Sequence, residues 1–243
     1  SSAASIPTLT DIIYDEPRGL AGYDPAGLHA FSAVQESGAS LLRAEPELSL
    51  EQRSVTDPIG PEVGDFDYVV HAASIASPTY YKRHPIETMD ANVNGLRNLL
   101  EYARRQADRS RPLAGFLFFS SSEIYGDPPA DAIPTPESYR GNVSCTGPRA
   151  CYDESKRFGE TLCVNFAQVH GVPVTMARPF NNIGPGLKIS DRRVLPDFAR
   201  DVLAGRPIEM LSDGGPRRTY CYVGDAIAGY YKLGSAANLA GRV

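Results

Sequence analysis

Residues 116–119, Phe-Leu-Phe-Phe, form a continuous apolar run that ends abruptly in Ser120-Ser121-Ser122-Glu123. A run this short and this apolar suits a strand buried on both faces, as a parallel sheet contains. The polar residues at its carboxyl end narrow the choice further, because ligands of open α/β sheets sit outside the strand ends. The rest of the chain keeps the same rhythm. Residues 48–55 alternate apolar and polar and stop at Asp57-Pro58. Residues 66–71 read as a short strand ending in the small residues Ala72, Ala73 and Ser74. Ile86, Met89, Val93, Leu96, Leu99, Leu100 and Ala103 then recur at helical spacing. A Pro- and Gly-rich loop over 126–148 leads to a helix over 152–170 that Gly171 ends, and 172–177 reads as another strand. A helix over 194–204, a strand over 208–211 and a helix over 225–233 follow. This alternation predicts an α/β fold with a doubly wound, Rossmann-like parallel sheet. Before residue 48 the pattern is weak: 1–7 reads as a loose tail, 12–14 as a strand or one helical turn, and 26–36 as a helix.

Lys and Arg are scattered and the net charge is −5, which disfavours a nucleic-acid footprint but allows a basic pocket for a phosphorylated small molecule. No apolar run approaches the roughly 20 residues of a membrane span, and no signal-peptide pattern opens the sequence. The four cysteines form no CxxC pair and no metal-ligand spacing with His. The expectation is a cytoplasmic protein with reduced thiols and no metal.

Three strand ends carry small or polar residues: His71 to Ser74, Ser120 to Glu123, and Arg178-Pro179-Phe180-Asn181-Asn182. A doubly wound sheet brings all three to one crevice. Tyr152-Asp153-Glu154-Ser155-Lys156 places a phenol and an ammonium at i and i+4, on one helix face. A phenol is a poor base at neutral pH, and a nearby ammonium favours its ionised form. Tyr152 then suits proton abstraction from a hydroxyl, Ser121 a shared hydrogen bond, and Glu123 a second proton transfer. Alone, a YxxxK is more often a surface pair and three serines more often a capped turn. Their order and spacing together favour the functional reading.

The stretches HAASIASPTYY, SSSEIYGDP, GPRACYDESKR, ARPFNNIGPG and RRTYCYVGDA resemble extended short-chain dehydrogenase/reductases of the NAD-dependent epimerase/dehydratase family. They are most similar to bacterial UDP-glucuronate decarboxylase-type enzymes, over residues 48 to about 233. The resemblance implies that NAD is bound, a sugar nucleotide is oxidised at C4, the 4-keto intermediate reacts, and the hydride usually returns. It makes Tyr152 the base, Lys156 the residue that lowers its pKa and holds the nicotinamide ribose, Ser121 the hydroxyl partner, and Glu123 a carboxylate shared by decarboxylases and 4,6-dehydratases. By the same resemblance Ala72, Ala73 and Ser74 are expected to flank the cofactor. Asn181, Arg192 or Arg193, and Arg218 meet the nucleotide diphosphate. Ser122, where dehydratases commonly carry Asp, tilts the reading toward a decarboxylase (a lyase) or a 4-epimerase. A homodimer through the YxxxK helix and the helix before it is also implied, with Val164, Phe166 and Ala167 able to contribute there or equally to an ordinary core face.

The family's GxxGxxG turn, whose helix N-terminus binds pyrophosphate, has only a weak counterpart in Gly19, Gly22 and Gly27, and Ser54 stands at the expected acidic position. The first βαβ unit is therefore expected to be missing or atypical, and the substrate-binding part after residue 178 small and truncated. The expected division is 1–47, an atypical segment; 48–178, a Rossmann-like core; and 179–243, mixed core and partial substrate-binding region. Asp90 stands where the similar decarboxylases tend to carry Lys. A remodelled member without a dinucleotide site, acting in a redox-neutral step or as a binding subunit, is the alternative.

Overall fold

The computed structural model describes residues 11–14, 49–184, 187, 189, 193–215 and 217–236. The expectations for 1–7, Gly19, Gly22, Gly27, 26–36 and Arg192 lie outside the described residues. The chain divides into two compact units, Ser1–Pro58 and Ile59–Val243. In the first, β1 (Asp11–Tyr14) pairs parallel with β2 (Ser49–Gln52), Asp11 opposite Ser49 and Tyr14 opposite Gln52. Residues 12–14 are thus strand rather than helical turn.

The second unit holds β3 (Tyr68–His71), the short helices α1 (Pro78–Tyr81) and α2 (Pro85–Met89), and α3 (Leu96–Asp108). It continues with β4 (Gly115–Phe119), α4 (Ala150–His170), β5 (Val174–Ala177), β6 (Asn181–Ile183), α5 (Val194–Leu203), β7 (Tyr220–Tyr222) and α6 (Val223–Ser235). Strands β3, β4 and β5 form a parallel sheet in that order, with Val70 opposite Leu117 and Phe116 opposite Val174. Strands β6 and β7 pair parallel as a second, two-stranded sheet.

Strand β4 is central, and its residues 115–118 are all buried. Side chains alternate between faces along a strand, and each face of β4 meets a helix. On one face Phe118 packs so closely on α4 that a Cβ built on Gly159 would stand 2.6 Å from its ring. On the other, a Cβ on Gly234 of α6 would lie 3.6 Å from Leu117, and Phe119 meets Tyr230 edge-on at 4.6 Å. Helices on both faces explain why the run carries no polar residue.

Helix α4 buries Tyr152, Ser155, Lys156, Gly159, Cys163 and Phe166, one stripe of a 3.6-residue period. Gly171 ends the helix in the left-handed conformation, φ 68°, its N–H reaching Ala167. Burial of Phe166 puts it in the core of the chain rather than on a surface. The helical pattern over 86–103 is interrupted by a wider π turn at Asp90–Gly95. Such turns often mark functional sites, and this one aims buried Asn92 at Ser155 of α4, Nδ2 to Oγ 2.8 Å. Gln106 of α3 is fully buried and acts as a surrogate strand partner: it accepts from Phe66 N (3.1 Å) and donates to the Phe66 (2.6 Å) and Arg111 (2.7 Å) carbonyls.

Residues 208–211 form no strand. A strand needs a neighbour for its backbone groups, and Ile208, Met210 and Leu211 are exposed with no paired strand among the described residues. No helix among the described residues is long and apolar enough to cross a membrane.

Candidate active site

The carboxyl ends of β4 and β5 are held together before any catalytic side chain is placed. Ser120 N donates to Ala177 O (2.8 Å) and Ser122 N to Pro179 O (2.9 Å). Side chains reinforce them. Arg178, just past β5, makes a two-point pair with Glu160 of α4 (2.8 and 2.7 Å) and also donates to the Tyr125 hydroxyl (2.9 Å) and the Glu137 carbonyl (2.7 Å). Ser120 donates to the same Glu160 (2.6 Å). Strand end, loop and helix are thereby joined through one buried ion pair.

Ser121 comes next. Its Oγ caps the 3-10 turn Ser122–Tyr125 by accepting from Glu123 N (3.2 Å), and the hydroxyl lies near enough to the Tyr152 phenol to favour its ionised form. Tyr152 is buried at the start of α4, its ring stacked on Tyr81 with centroids 5.1 Å apart. Burial pushes the phenol above its ordinary pKa; the Ser121 hydroxyl and the Arg193 charge pull the other way.

Lys156 shares the Tyr152 face, as the spacing predicts, with Nζ 5.8 Å from the ring centroid. Its ammonium is aimed elsewhere: Nζ donates to the Phe119 carbonyl (2.7 Å) and lies over the Phe118 ring at 5.2 Å. Burial lowers its pKa to about 7. In this arrangement Lys156 is not among the groups that set the Tyr152 shift. Desolvation of the phenol outweighs the attractions acting on it, and the ammonium is committed to a backbone carbonyl.

Glu123 pairs with Arg149, the residue before α4. Arg149 Nε also faces Asp153 Oδ2 at 3.6 Å. Burial first, and Glu123 after it, raise Asp153 to about 6, with Arg149 opposing. Burial likewise raises the Tyr81 phenol to about 12. Several buried polar atoms here have no partner among the described residues: Tyr81 Oη, Arg149 Nε, Asp153 Oδ1, and Ser74 Oγ and Ser77 Oγ after β3. Neither ring nitrogen of buried His71, at the end of β3, has a partner of hydrogen-bonding geometry. Burial, then the Lys156 charge, lowers that imidazole to about 3, and the backbone of His71 itself and of Ala91 offsets this only partly.

The structure thus gathers Ser121, Glu123, Tyr152 and Lys156 around the β4 end, with Arg193 near enough to act on Tyr152. Ala72, Ala73 and Ser74 follow β3, whose neighbour is β4. Asn181 donates within the β6–β7 region, to the Thr219 carbonyl (3.0 Å). Arg218 is exposed and donates to the carbonyl of Arg217 (2.8 Å). Sequence reasoning missed Tyr81, Asn92, Arg149 and Asp153. Arg149 and Asp153 flank Tyr152 in the motif quoted above, so proximity was a usable signal for them. Tyr81 ends the quoted stretch HAASIASPTYY, a signal of the same kind, while Asn92 lies outside the quoted stretches and gave none.

Residues 27–241 match the NAD dependent epimerase/dehydratase family. UDP-glucuronic acid decarboxylase 5 of Arabidopsis thaliana is 40% identical over 188 residues, 77% of this chain and 52% of that protein. UDP-glucuronic acid decarboxylase 1 of Xenopus tropicalis is 39% identical over 184 residues, 76% and 41% respectively. This chain spans about half the length of the curated relatives it matches. UDP-glucose 4-epimerase of Thermotoga maritima, solved with UDP-glucose, superposes with a TM-score of 0.68 over 90% of this chain and 72% of that one, at 23% identity, a likeness of fold. On sequence and architecture together, the chain belongs to the NAD dependent epimerase/dehydratase family of enzymes.

Proposed function

We propose that this chain carries an NAD-dependent nucleotide-sugar activity that proceeds through a 4-keto intermediate and resembles UDP-glucuronate decarboxylation. The observation that supports it most is the gathering of Ser121, Glu123, buried Tyr152 and Lys156 at the carboxyl end of the central strand, with Lys156 Nζ 5.8 Å from the Tyr152 ring. The 40% identity to a UDP-glucuronic acid decarboxylase favours this member of the family's chemistry.

Tyr152 takes the proton of the sugar C4 hydroxyl, and Ser121 holds that hydroxyl in line. For the phenol to act near neutral pH, the upward push of burial must be offset. The Ser121 hydroxyl and the Arg193 charge already act in that direction. Lys156 adds to them when its flexible stem turns the ammonium from the Phe119 carbonyl toward the phenol. Glu123 delivers the second proton, to the carbon that loses its carboxyl group.

The residues after β3 fit a dinucleotide. Ala72 and Ala73 leave room for a flat ring, and the unpartnered Ser74 and Ser77 hydroxyls are donors awaiting acceptors. With Lys156 they would hold NAD, which when bound supplies a reversible hydride acceptor at C4. The nucleotide diphosphate is assigned to Arg193, Arg218 and Asn181, and assembly as a homodimer belongs to the same proposal.

Incubation with NAD and UDP-glucuronate, with products read by mass spectrometry, tests it. CO2 and a UDP-pentose are expected. A product of unchanged mass would favour 4-epimerisation, loss of water from a hexose nucleotide 4,6-dehydration, and no conversion of any nucleotide sugar would refute the proposal.

A further inference from the structure

Arg149, three residues before Tyr152, has bonding capacity that its pair with Glu123 leaves unused. A guanidinium presents five N–H donors in a fork that matches a carboxylate. Arg149 gives Glu123 one of these, from Nη2. Among the described residues its buried Nε has no hydrogen-bond partner, only the longer approach to Asp153, and none takes Nη1. The groups that face it are Glu123 from the turn after β4, Tyr81 from α1 and Asp153 from its own helix. Both partners of the Arg149–Glu123 pair have side chains 42% exposed, so a ligand can reach them; Arg178 and Glu160, at 13% each, are closed. Lys156 is not a rival, because its ammonium is buried on the Phe119 carbonyl.

We propose that Arg149 determines specificity by receiving a carboxylate carried by the sugar, releasing Glu123 in exchange; this rests on the nucleotide-sugar reading above. One carboxylate replaces another on the same guanidinium, so the charge on Arg149 stays compensated. The released Glu123 turns toward the sugar. A neutral sugar offers no such exchange, and Glu123 then stays held. Recognition of the substrate's charge and release of the second proton-transfer group are thereby one event.

The test uses the full chain with NAD present and measures binding of UDP-glucuronate and UDP-glucose by calorimetry, with CO2 release followed in parallel. Wild type is expected to bind UDP-glucuronate about tenfold or more tighter, the order of one charge-assisted pair. Arg149→Gln is expected to lose about tenfold for UDP-glucuronate and less than about threefold for UDP-glucose. Arg149→Lys should recover part of the preference, and Glu123→Gln, which removes the competing carboxylate, should tighten UDP-glucuronate. Equal weakening of both ligands by Arg149→Gln, or a wild type without preference, would overturn the assignment. Preference without CO2 release would defeat the decarboxylase reading and leave Arg149 standing. Release with the preference intact in Arg149→Gln would defeat the assignment alone, and a wild type that binds neither would defeat both.

Discussion

Two Arg–Glu pairs flank the end of β4, and they are built for different work. Arg178 and Glu160 meet at two points, and Ser120, Tyr125 and the Glu137 carbonyl fill further positions on them. Burial opposes the Arg178 charge, yet Glu160 and Tyr125 hold its pKa above the ordinary value. A saturated buried pair of this kind fixes geometry, because every competing arrangement leaves a charge unmatched. Arg149 and Glu123 touch through one N–H, half in solvent, beside an Asp153 raised to about 6 and a Tyr81 raised to about 12. Here polar atoms are left unpartnered. Unsatisfied groups at a strand end cost stability, and their concentration beside Tyr152 marks where the molecule trades stability for chemistry. The closed pair supplies the rigidity that the open one needs.

Breaking the closed pair gives the largest effect on stability. Glu160→Ala leaves the part-buried Arg178 without its carboxylate, at a cost of about 3 kcal/mol, read as a lower urea midpoint at unchanged slope. Breaking the open pair reverses the pattern. Glu123→Gln is expected to shift stability by less than about 1 kcal/mol, since the pair is exposed, and to lower turnover about 100-fold or more. If the two variants behaved alike in either measurement, the distinction would fail.

Smaller effects appear in the pH dependence of stability, where His71 and Asp153 act oppositely. The His71 pKa is lower folded, about 3, than unfolded, 6.5, so the unfolded chain binds more protons between those values. Stability therefore falls as pH drops from 6.5 toward 3, and His71→Leu should flatten that slope. Asp153 is higher folded, about 6, than its ordinary 3.8. Its cost sets in as pH rises from 3.8 to 6, so Asp153→Asn should gain on wild type above pH 6 relative to pH 4. Chemical denaturation across this range checks both.

Much of this architecture is legible in the sequence because it is periodic. Residues 116–119 suit a doubly covered strand, and the spacing of Tyr152 and Lys156 puts both on one face of α4, as found. What was not legible depends on contacts between distant segments. Nothing local says that Tyr81 stacks on Tyr152, or that Lys156 turns to Phe119. Local pattern also misled at 208–211, where apolar composition suggests a strand but no neighbouring backbone pairs with it. The open pair was half visible: Glu123 stood out as a carboxylate at a strand end, while Arg149 looked like one more basic residue.

The central claim is that Tyr152 is the base of a nucleotide-sugar reaction. Turnover of UDP-glucuronate with NAD by Tyr152→Phe, measured beside its urea midpoint, tests this most directly. The ring keeps its place on Tyr81 and only the hydroxyl near Ser121 is lost. The account predicts a loss of about 100-fold or more in turnover with the midpoint little changed. Turnover close to wild type in a folded variant would remove Tyr152 from the chemistry and contradict the account.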